Sequence, residues 1–164
     1  MKEIKRNMYL EKLINRKENG LIKIVTGIRR CGKSYLLDPI YKNYLLENGV
    51  REDHIIKIDL DERKNNKYLN PDVLDEYIRS TIVDKDMYYI ILDEIQKVED
   101  FESVLNGFLH IENVDVYVTG SNSKFLSSDI RTEFRGRGDE VRIFPLTFAE
   151  FVSAYEGNSD EAWK

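Results

Sequence analysis

Short apolar runs alternate along the chain with longer segments in which apolar residues recur at helical spacing. The run from Tyr88 to Leu92, YYIIL, is apolar at every position rather than at every second one. A strand of this kind is typical of a parallel sheet whose two faces are both covered. Similar runs predict five strands in all, at 21–25, 54–60, 88–92, 114–118 and 140–144.

The segments before, between and after these runs predict helices. The first covers residues 2–19, and the later ones are expected at 33–48, 71–82, 101–109, 123–130 and 147–155. Pro39 lies inside the second helix and should kink it after a turn or two, because proline removes one backbone hydrogen bond. The polar stretch 61–70 is expected to be a loop. Strands that alternate with helices predict an α/β fold, a five-stranded parallel sheet in three layers with helices on both faces.

The segment between the first strand and the next helix reads GIRRCGKS. This is the phosphate-loop motif in the strand–loop–helix context that it requires, which disfavours a chance match. Its glycines let several amide N–H groups turn toward an anion. Lys33 supplies a positive charge to the β- and γ-phosphates, and the Ser34 hydroxyl is a ligand for Mg²⁺. The expected nucleotide contacts are Gly27, Ile28, Arg29, Arg30, Cys31, Gly32, Lys33, Ser34 and Tyr35.

Three of these loop positions carry alternatives. Arg29 and Arg30 are expected to make surface or packing contacts more than to ligate phosphate with their side chains. Cys31 is either only a small residue in a tight loop or a thiol with thiolate character that faces a helix N-terminus.

Acidic residues follow two other strands, Asp59 after the second and Asp93-Glu94 after the third. Because ligands of parallel sheets bind beyond the carboxyl ends of the strands, we expect these acids to share one cleft with the phosphate loop. Asp93 is predicted to hold Mg²⁺ beside Ser34, and Glu94 to polarise a water for attack on the γ-phosphate. The alternative is that Asp-Glu simply begins a turn after a strand.

Two later segments supply further catalytic candidates. Ser121 and Asn122 end the fourth strand and can offer a hydroxyl or an amide to the γ-phosphate or to the attacking water, although Gly-Ser-Asn is also a common turn. Arg135 and Arg137 are flanked by glycines, and an arginine given to the transition state is a large term in phosphoryl transfer. Solvated loop arginines are the alternative for this pair.

The first predicted helix leads directly into the phosphate-loop strand. It carries six Lys or Arg residues against three glutamates, and such a run of charges usually marks a solvated face. A sharper hypothesis is that Arg6 or Tyr9 contacts the base of the nucleotide.

Composition excludes several classes of protein. A chain of 164 residues, 41% hydrophobic and 34% charged, is long enough for one globular domain with a sizeable core. Its net charge of −5 argues against a surface that coats nucleic acid, although a local basic face is compatible with it, so the sequence does not show a nucleic-acid partner. Cys31 is the single cysteine, which rules out a disulfide framework. No apolar run is long enough to cross a bilayer, the first residues lack the apolar core of a signal peptide, and a cytoplasmic location is expected.

Four segments in order, GIRRCGKS, YYIILDEIQKV, VYVTGSNSKFLS and RGRGDEVRIFPLTFAEF, resemble the AAA-type ATP-binding domain of a prokaryotic ATPase family. Members of that family usually carry a further C-terminal region that resembles a nuclease fold. The resemblance extends from about Ile4 to Tyr155. We therefore expect residues 1–164 to form one domain, with an N-terminal helix at 2–19 and a P-loop core at 21–155. The sequence departs from the family at Pro39 and by stopping at Lys164, so we expect the C-terminal lid and the further domain to be absent from this chain.

The resemblance implies a P-loop NTPase core in which the fourth strand lies between the phosphate-loop strand and the Asp-Glu strand. It also implies ATP rather than GTP as the nucleotide, with Asp93 and Glu94 as the metal and water pair. Ser121 or Asn122 would be the first sensor, and Arg137 would match the family's arginine finger.

The expected function is therefore hydrolysis of Mg-ATP to drive a conformational change in an attached or partner module, slowly in the isolated domain. An ATP-dependent binding switch with little turnover is the first alternative, and a small-molecule P-loop kinase is the second. A GTPase is disfavoured because the chain has no Asn-Lys-x-Asp motif. The expected partners are the missing C-terminal region and a second copy of the chain.

Overall fold

Five parallel strands form one sheet at the centre of the domain. The computed structural model describes residues 7–27, 32–121, 134 and 136–143. The strands lie in the order β2-β3-β4-β1-β5, and all four neighbouring pairs are parallel. The predicted parallel sheet is thus confirmed, and β4 separates the phosphate-loop strand from the Asp-Glu strand as the family resemblance implied. The strands are β1 (Ile22–Thr26), β2 (Ile55–Asp59), β3 (Tyr88–Asp93), β4 (Val114–Gly120) and β5 (Gly138–Arg142).

Helices cover both faces of this sheet. The α-helices of the described residues are α1 (Asn7–Arg16), α2 (Lys33–Tyr35), α3 (Lys42–Glu47), α4 (Pro71–Thr81) and α5 (Phe101–Phe108). One apolar cluster joins α4 and α5 to one face, and a second joins α1 and the segment after the phosphate loop to the other. All six residues of β3 are buried, which explains why this strand is apolar throughout instead of alternating. None of the helices in the described part of the chain has the length and apolar character that a membrane crossing requires.

Pro39 interrupts the helix that follows the phosphate loop, as the sequence predicted. Between α2 and α3, the segment Leu36–Tyr41 is kinked at Asp38, whose angles of φ −146° and ψ 112° are not helical. Proline has no backbone N–H to donate, so the hydrogen bonds of the helix cannot continue through this position.

Other sequence predictions need correction. The stretch 61–70 is not simply a loop, because Arg63–Leu69 forms a 3₁₀ helix before α4. Strand β5 begins two residues before the predicted position and ends at Arg142. Tyr9 is only 3% exposed and packs in the second apolar cluster, so its ring belongs to the core and the expected contact with a base is not supported. Arg6 and the predicted helices at 123–130 and 147–155 lie outside the described residues.

A buried ion pair links the starts of β1 and β4. Lys23 Nζ contacts Asp115 Oδ1, and their side chains are 0% and 2% exposed. The other carboxylate oxygen of Asp115 accepts hydrogen bonds from the Tyr117 hydroxyl at 2.6 Å and from Glu18 N at 2.9 Å. Both charges are therefore compensated inside the protein, and neither partner can be removed without leaving the other uncompensated.

Replacing Lys23 with methionine is expected to lower the free energy of unfolding by about 3–5 kcal/mol, because it leaves a buried carboxylate without its cation. Asp115→Asn should destabilise for the converse reason. The double variant Lys23→Met/Asp115→Asn should lose less than the sum of the two single losses, since no unpaired charge remains. Urea unfolding of the four proteins measures this, and losses that simply add would contradict it.

Candidate functional site

The phosphate loop joins the end of β1 to the start of α2. Gly27 and Gly32 have φ values of 154° and 95°, in the region that side chains disfavour, so glycine is required at both ends of the loop. Gly32 precedes α2, and Lys33 is the first residue of that helix. Lys33 is 5% exposed, and its Nζ donates to Gly27 O at 3.0 Å. The lysine side chain thus reaches back to Gly27, the residue at which the loop begins.

Ser34 and Asp93, the predicted metal ligands, are in direct contact. The Ser34 hydroxyl donates to Asp93 Oδ2, and the Thr119 hydroxyl donates to Asp93 Oδ1. Asp93 is 3% exposed at the end of β3, and Thr119 is fully buried near the end of the neighbouring β4. No role was predicted for Thr119, because its position next to Asp93 depends on the pairing of β3 with β4.

Glu94 is held by the backbone and by two side chains. Its φ of 59° is rare for a residue other than glycine and costs of order 1–3 kcal/mol. Its backbone N donates to Thr119 Oγ1 at 2.9 Å. Ser121 Oγ lies 3.1 Å and 3.0 Å from the two carboxylate oxygens, and Gln96 Nε2 donates to Oε2 at 2.6 Å. The structure therefore brings Ser121 to Glu94, and it adds Gln96, which sequence reasoning missed.

Lys33, Ser34, Asp93 and Glu94 line one cavity of about 370 Å³ at the carboxyl end of the sheet. Four carboxylates line it, and Lys33 is the one cation among its lining residues in the described part of the chain. Tyr35, which was expected to contact the nucleotide, also lines it. The lining consists of Gly32, Lys33, Ser34, Tyr35, Asp59, Asp61, Asp93 and Glu94.

Asp59 and Asp61 enlarge the acidic part of the site. Asp59 lies directly opposite Asp93 in the register of β2 and β3, and Asp61 forms an ion pair with Lys97. Burial raises the pKa of Asp59, the hydrogen bond from Asp61 N lowers it, and the nearby Asp93 carboxylate raises it further. The sequence placed Asp59 in this cleft without a role. Asp61 was missed, since its position follows from the turn after β2.

The donor set suits a hard divalent cation. Carboxylate and hydroxyl oxygens are the ligands that Mg²⁺ prefers, and Ser34 and Asp93 present one of each at a single point. Burial is the main cause of the raised pKa of Asp59, the Asp93 carboxylate raises it further, and a cation would relieve the repulsion between these two carboxylates. The residues present therefore fit Mg²⁺.

Arg137 lies at the amino end of the strands, opposite the end at which the cavity opens. Its carbonyl oxygen accepts a hydrogen bond from Ile22 N at the start of β1, and its Nη1 donates to Asn106 Oδ1 at 3.0 Å. A strand of five residues spans about 17 Å, so Arg137 is out of reach of the cavity in its own subunit. Its predicted role as an arginine finger can apply only to a neighbouring subunit.

Several predicted site residues lie outside the described part of the chain, and their roles stay predictions. They are Ile28, Arg29, Arg30, Cys31, Asn122 and Arg135.

Comparison with known proteins identifies the family. The model of the AAA domain family matches residues 19–152. An uncharacterized protein of Haemophilus influenzae is 33% identical over 152 residues, which are 92% of this chain and 38% of that protein. An uncharacterized protein of Methanocaldococcus jannaschii is 31% identical over 135 residues, 80% of this chain and 28% of that protein. The chain thus spans well under half the length of these two relatives.

Solved structures share the fold at low identity. A DNA polymerase III gamma subunit-related protein of Thermotoga maritima superposes with a TM-score of 0.59 at 14% identity, over 94% of this chain and 51% of that one. A DNA replication initiation factor superposes with a TM-score of 0.58 at 18% identity, over 94% of this chain and 49% of that one. At such identities the likeness concerns the fold alone. Together with the family match over 19–152, this fold shows that the chain belongs to the AAA domain family.

Proposed function

We propose that this domain binds Mg-ATP and hydrolyses it to ADP and phosphate, and that the cycle drives a conformational change in an attached or partner module. The observation that supports the proposal is the single cavity on which Lys33, Ser34, Asp93 and Glu94 converge. These residues come from β3 and from the loop and helix after β1, and a structural role alone does not require them to meet.

Each side chain has a distinct task in this mechanism. Lys33 neutralises charge on the β- and γ-phosphates, and Ser34 and Asp93 hold Mg²⁺. The bound ion would offset the charge that develops on the phosphate oxygens. Glu94 accepts the proton of a water whose oxygen bonds to the γ-phosphorus, while the bond from that phosphorus to the β,γ-bridging oxygen breaks and ADP leaves.

An ATP-dependent binding switch is the second candidate. The Glu94 carboxylate already accepts hydrogen bonds from Gln96 and Ser121, so part of its acceptor capacity is used by protein contacts. If these contacts hold Glu94 away from water, ATP would bind and remain intact. Turnover measurements separate this candidate from hydrolysis.

The decisive experiment is calorimetric titration with ATP, ADP and GTP in the presence of Mg²⁺, followed by a phosphate-release assay on the same sample. Binding of ATP with release of phosphate supports the proposal. Binding without release favours the switch, and lack of binding to any nucleotide contradicts both.

The position of Arg137 leads to a prediction about self-association. If this residue completes the site of a neighbouring copy, the rate of hydrolysis per molecule should rise with protein concentration. Arg137→Ala should remove that rise while barely changing the affinity for ATP, because the contact belongs to the transition state. Arg135→Ala should have the smaller effect. Phosphate release measured over a range of protein concentrations tests this.

Arg51→Ala is the matched control, because Arg51 is also exposed and pairs only locally, with Asp53 at 2.7 Å. It should leave the concentration dependence intact. A rate per molecule that is constant with concentration, and equal in the parent and Arg137→Ala proteins, would leave Arg137 as an ordinary surface arginine.

A further inference from the structure

Gln96 makes a strong contact with the proposed catalytic base. It lies in the 3₁₀ turn Ile95–Lys97 that follows β3, two residues after Glu94. Its Nε2 donates to Glu94 Oε2 at 2.6 Å, a short distance even for a hydrogen bond to a charged acceptor. Because an ionised carboxylate can only accept hydrogen bonds, this contact also determines which end of the amide faces Glu94.

The other end of the amide shows what this orientation costs. Gln96 Oε1 is buried and has no hydrogen-bond partner among the residues that the structure describes. A buried acceptor without a partner is unfavourable unless a water reaches it. The amide therefore keeps its contact with Glu94 although its carbonyl oxygen gains nothing in return from the described residues.

Among the described residues, Gln96 is the main donor to this carboxylate. Ser121 Oγ is near both oxygens of Glu94, but a hydroxyl carries a single proton and can donate fully to only one of them. On the backbone side, the Glu94 N–H is bonded to Thr119, which is bonded in turn to Asp93. The backbone of Glu94 is thus linked through Thr119 to Asp93, the predicted metal ligand. Among the described residues, the orientation of the Glu94 carboxylate depends on Gln96 and Ser121.

We propose that Gln96 is a positioning residue for ATP hydrolysis, which holds the Glu94 carboxylate at the angle from which it takes the proton of the attacking water. This inference rests on the proposed hydrolysis by Glu94. A carboxylate has about four acceptor sites, so one hydrogen bond from Gln96 and a shared one from Ser121 leave room for a water. A base must be held within a fraction of an ångström, and a misplacement of about 1 Å can cost about 100-fold in rate.

Gln96→Met tests the proposal, because methionine is similar in length and volume but cannot donate a hydrogen bond. We expect kcat to fall about 10- to 100-fold. The KM and the calorimetric affinity for ATP should stay within about two-fold of the parent, because Gln96 is not among the residues that line the cavity. A loss of packing alone would instead lower the melting temperature without this separation of kcat from KM.

The same substitution in a Glu94→Gln background gives the decisive comparison. Once the base is gone it can no longer be misplaced, so Gln96→Met should then change the residual rate by less than about two-fold. Single-turnover phosphate release provides the required sensitivity. Asn48→Leu is the matched control, since Asn48 also donates through its side-chain amide, to Tyr44 O at 2.8 Å, but at the far end of α3. It should leave kcat unchanged in both backgrounds.

The possible outcomes separate this inference from the proposed function. A parent protein that hydrolyses ATP while Gln96→Met retains its kcat would overturn the positioning role and leave the function standing. A higher kcat in Gln96→Met would also overturn it, since Gln96 would then restrain the base. Equal losses in the parent and Glu94→Gln backgrounds would show that Gln96 acts independently of Glu94. A parent protein that releases no phosphate would overturn both proposals.

Discussion

Replacing Lys33 with alanine is expected to abolish detectable binding of ATP while the domain remains folded. Four carboxylates and one cation, Lys33, line the described cavity, so the charged side chains that the structure describes there would all be negative in the variant. Loss of a charged hydrogen bond costs about 1.5–3 kcal/mol, and the repulsion that remains adds to it. We therefore expect the affinity for ATP to fall by about 100-fold or more. Calorimetric titration with Mg-ATP measures the effect.

Lys42→Ala is the control for this variant. Lys42 belongs to α3 and pairs with Glu52 at 3.7 Å, away from the cavity, so its removal changes the net charge equally without touching the loop. It should bind ATP as the parent does. Thermal unfolding of both variants should show that Lys33→Ala keeps the fold, since the Lys33 side chain contacts the loop carbonyl of Gly27 and is not a member of either apolar cluster. Unchanged affinity in a folded Lys33→Ala protein would refute the assignment of the phosphate loop.

Glu94→Gln is expected to bind ATP normally and to hydrolyse it about 10²- to 10⁴-fold more slowly, the usual contribution of a general base. The amide has nearly the shape of the carboxylate and can still accept a hydrogen bond from Ser121 or Gln96 through its oxygen. It cannot take up the proton of a water at neutral pH, so the loss should appear in kcat alone. Phosphate release at saturating ATP, together with calorimetry, separates the two quantities.

Glu99→Gln is the matched control, because Glu99 is an exposed glutamate shortly after the same turn and its substitution removes the same charge. Its activity should equal that of the parent. Hydrolysis at the parent rate in Glu94→Gln would show that Glu94 merely ends a strand. A parent with no turnover at all would favour the binding switch.

Much of the fold could be predicted from short-range patterns. The continuous apolar run of β3 indicated a strand covered on both faces, and both apolar clusters do cover it. The helix expected at 71–82 is observed at Pro71–Thr81, and the Asn70 side chain accepts hydrogen bonds from Asp72 N and Val73 N at its start. Such signals are carried by neighbouring residues, because strand periodicity, caps and proline breaks are properties of a few consecutive positions.

Tyr9 and Gln96 show where local sequence patterns do not suffice to predict a contact. Tyr9 lies on a basic, amphipathic helix, and the pattern alone did not decide between a solvated ring and a buried one. Gln96 follows Glu94 by only two residues, but they meet because Glu94 adopts a left-handed conformation that bends the chain after β3. The hydrophobic pattern contains no signal for such a turn.

By itself, the sequence determined the phosphate loop, the succession of strands and helices, and the presence of acids at the ends of β2 and β3. Only the tertiary structure decided which of these groups meet. Thr119 reaches Asp93 because β4 lies beside β3, and Asp59 faces Asp93 because of the register between β2 and β3. Arg137 precedes β5 and Gly27 follows β1, so they lie at opposite ends of this strand pair because β5 runs parallel to β1. Strand order and register are set by packing between segments distant in the chain, so local patterns could not specify these contacts.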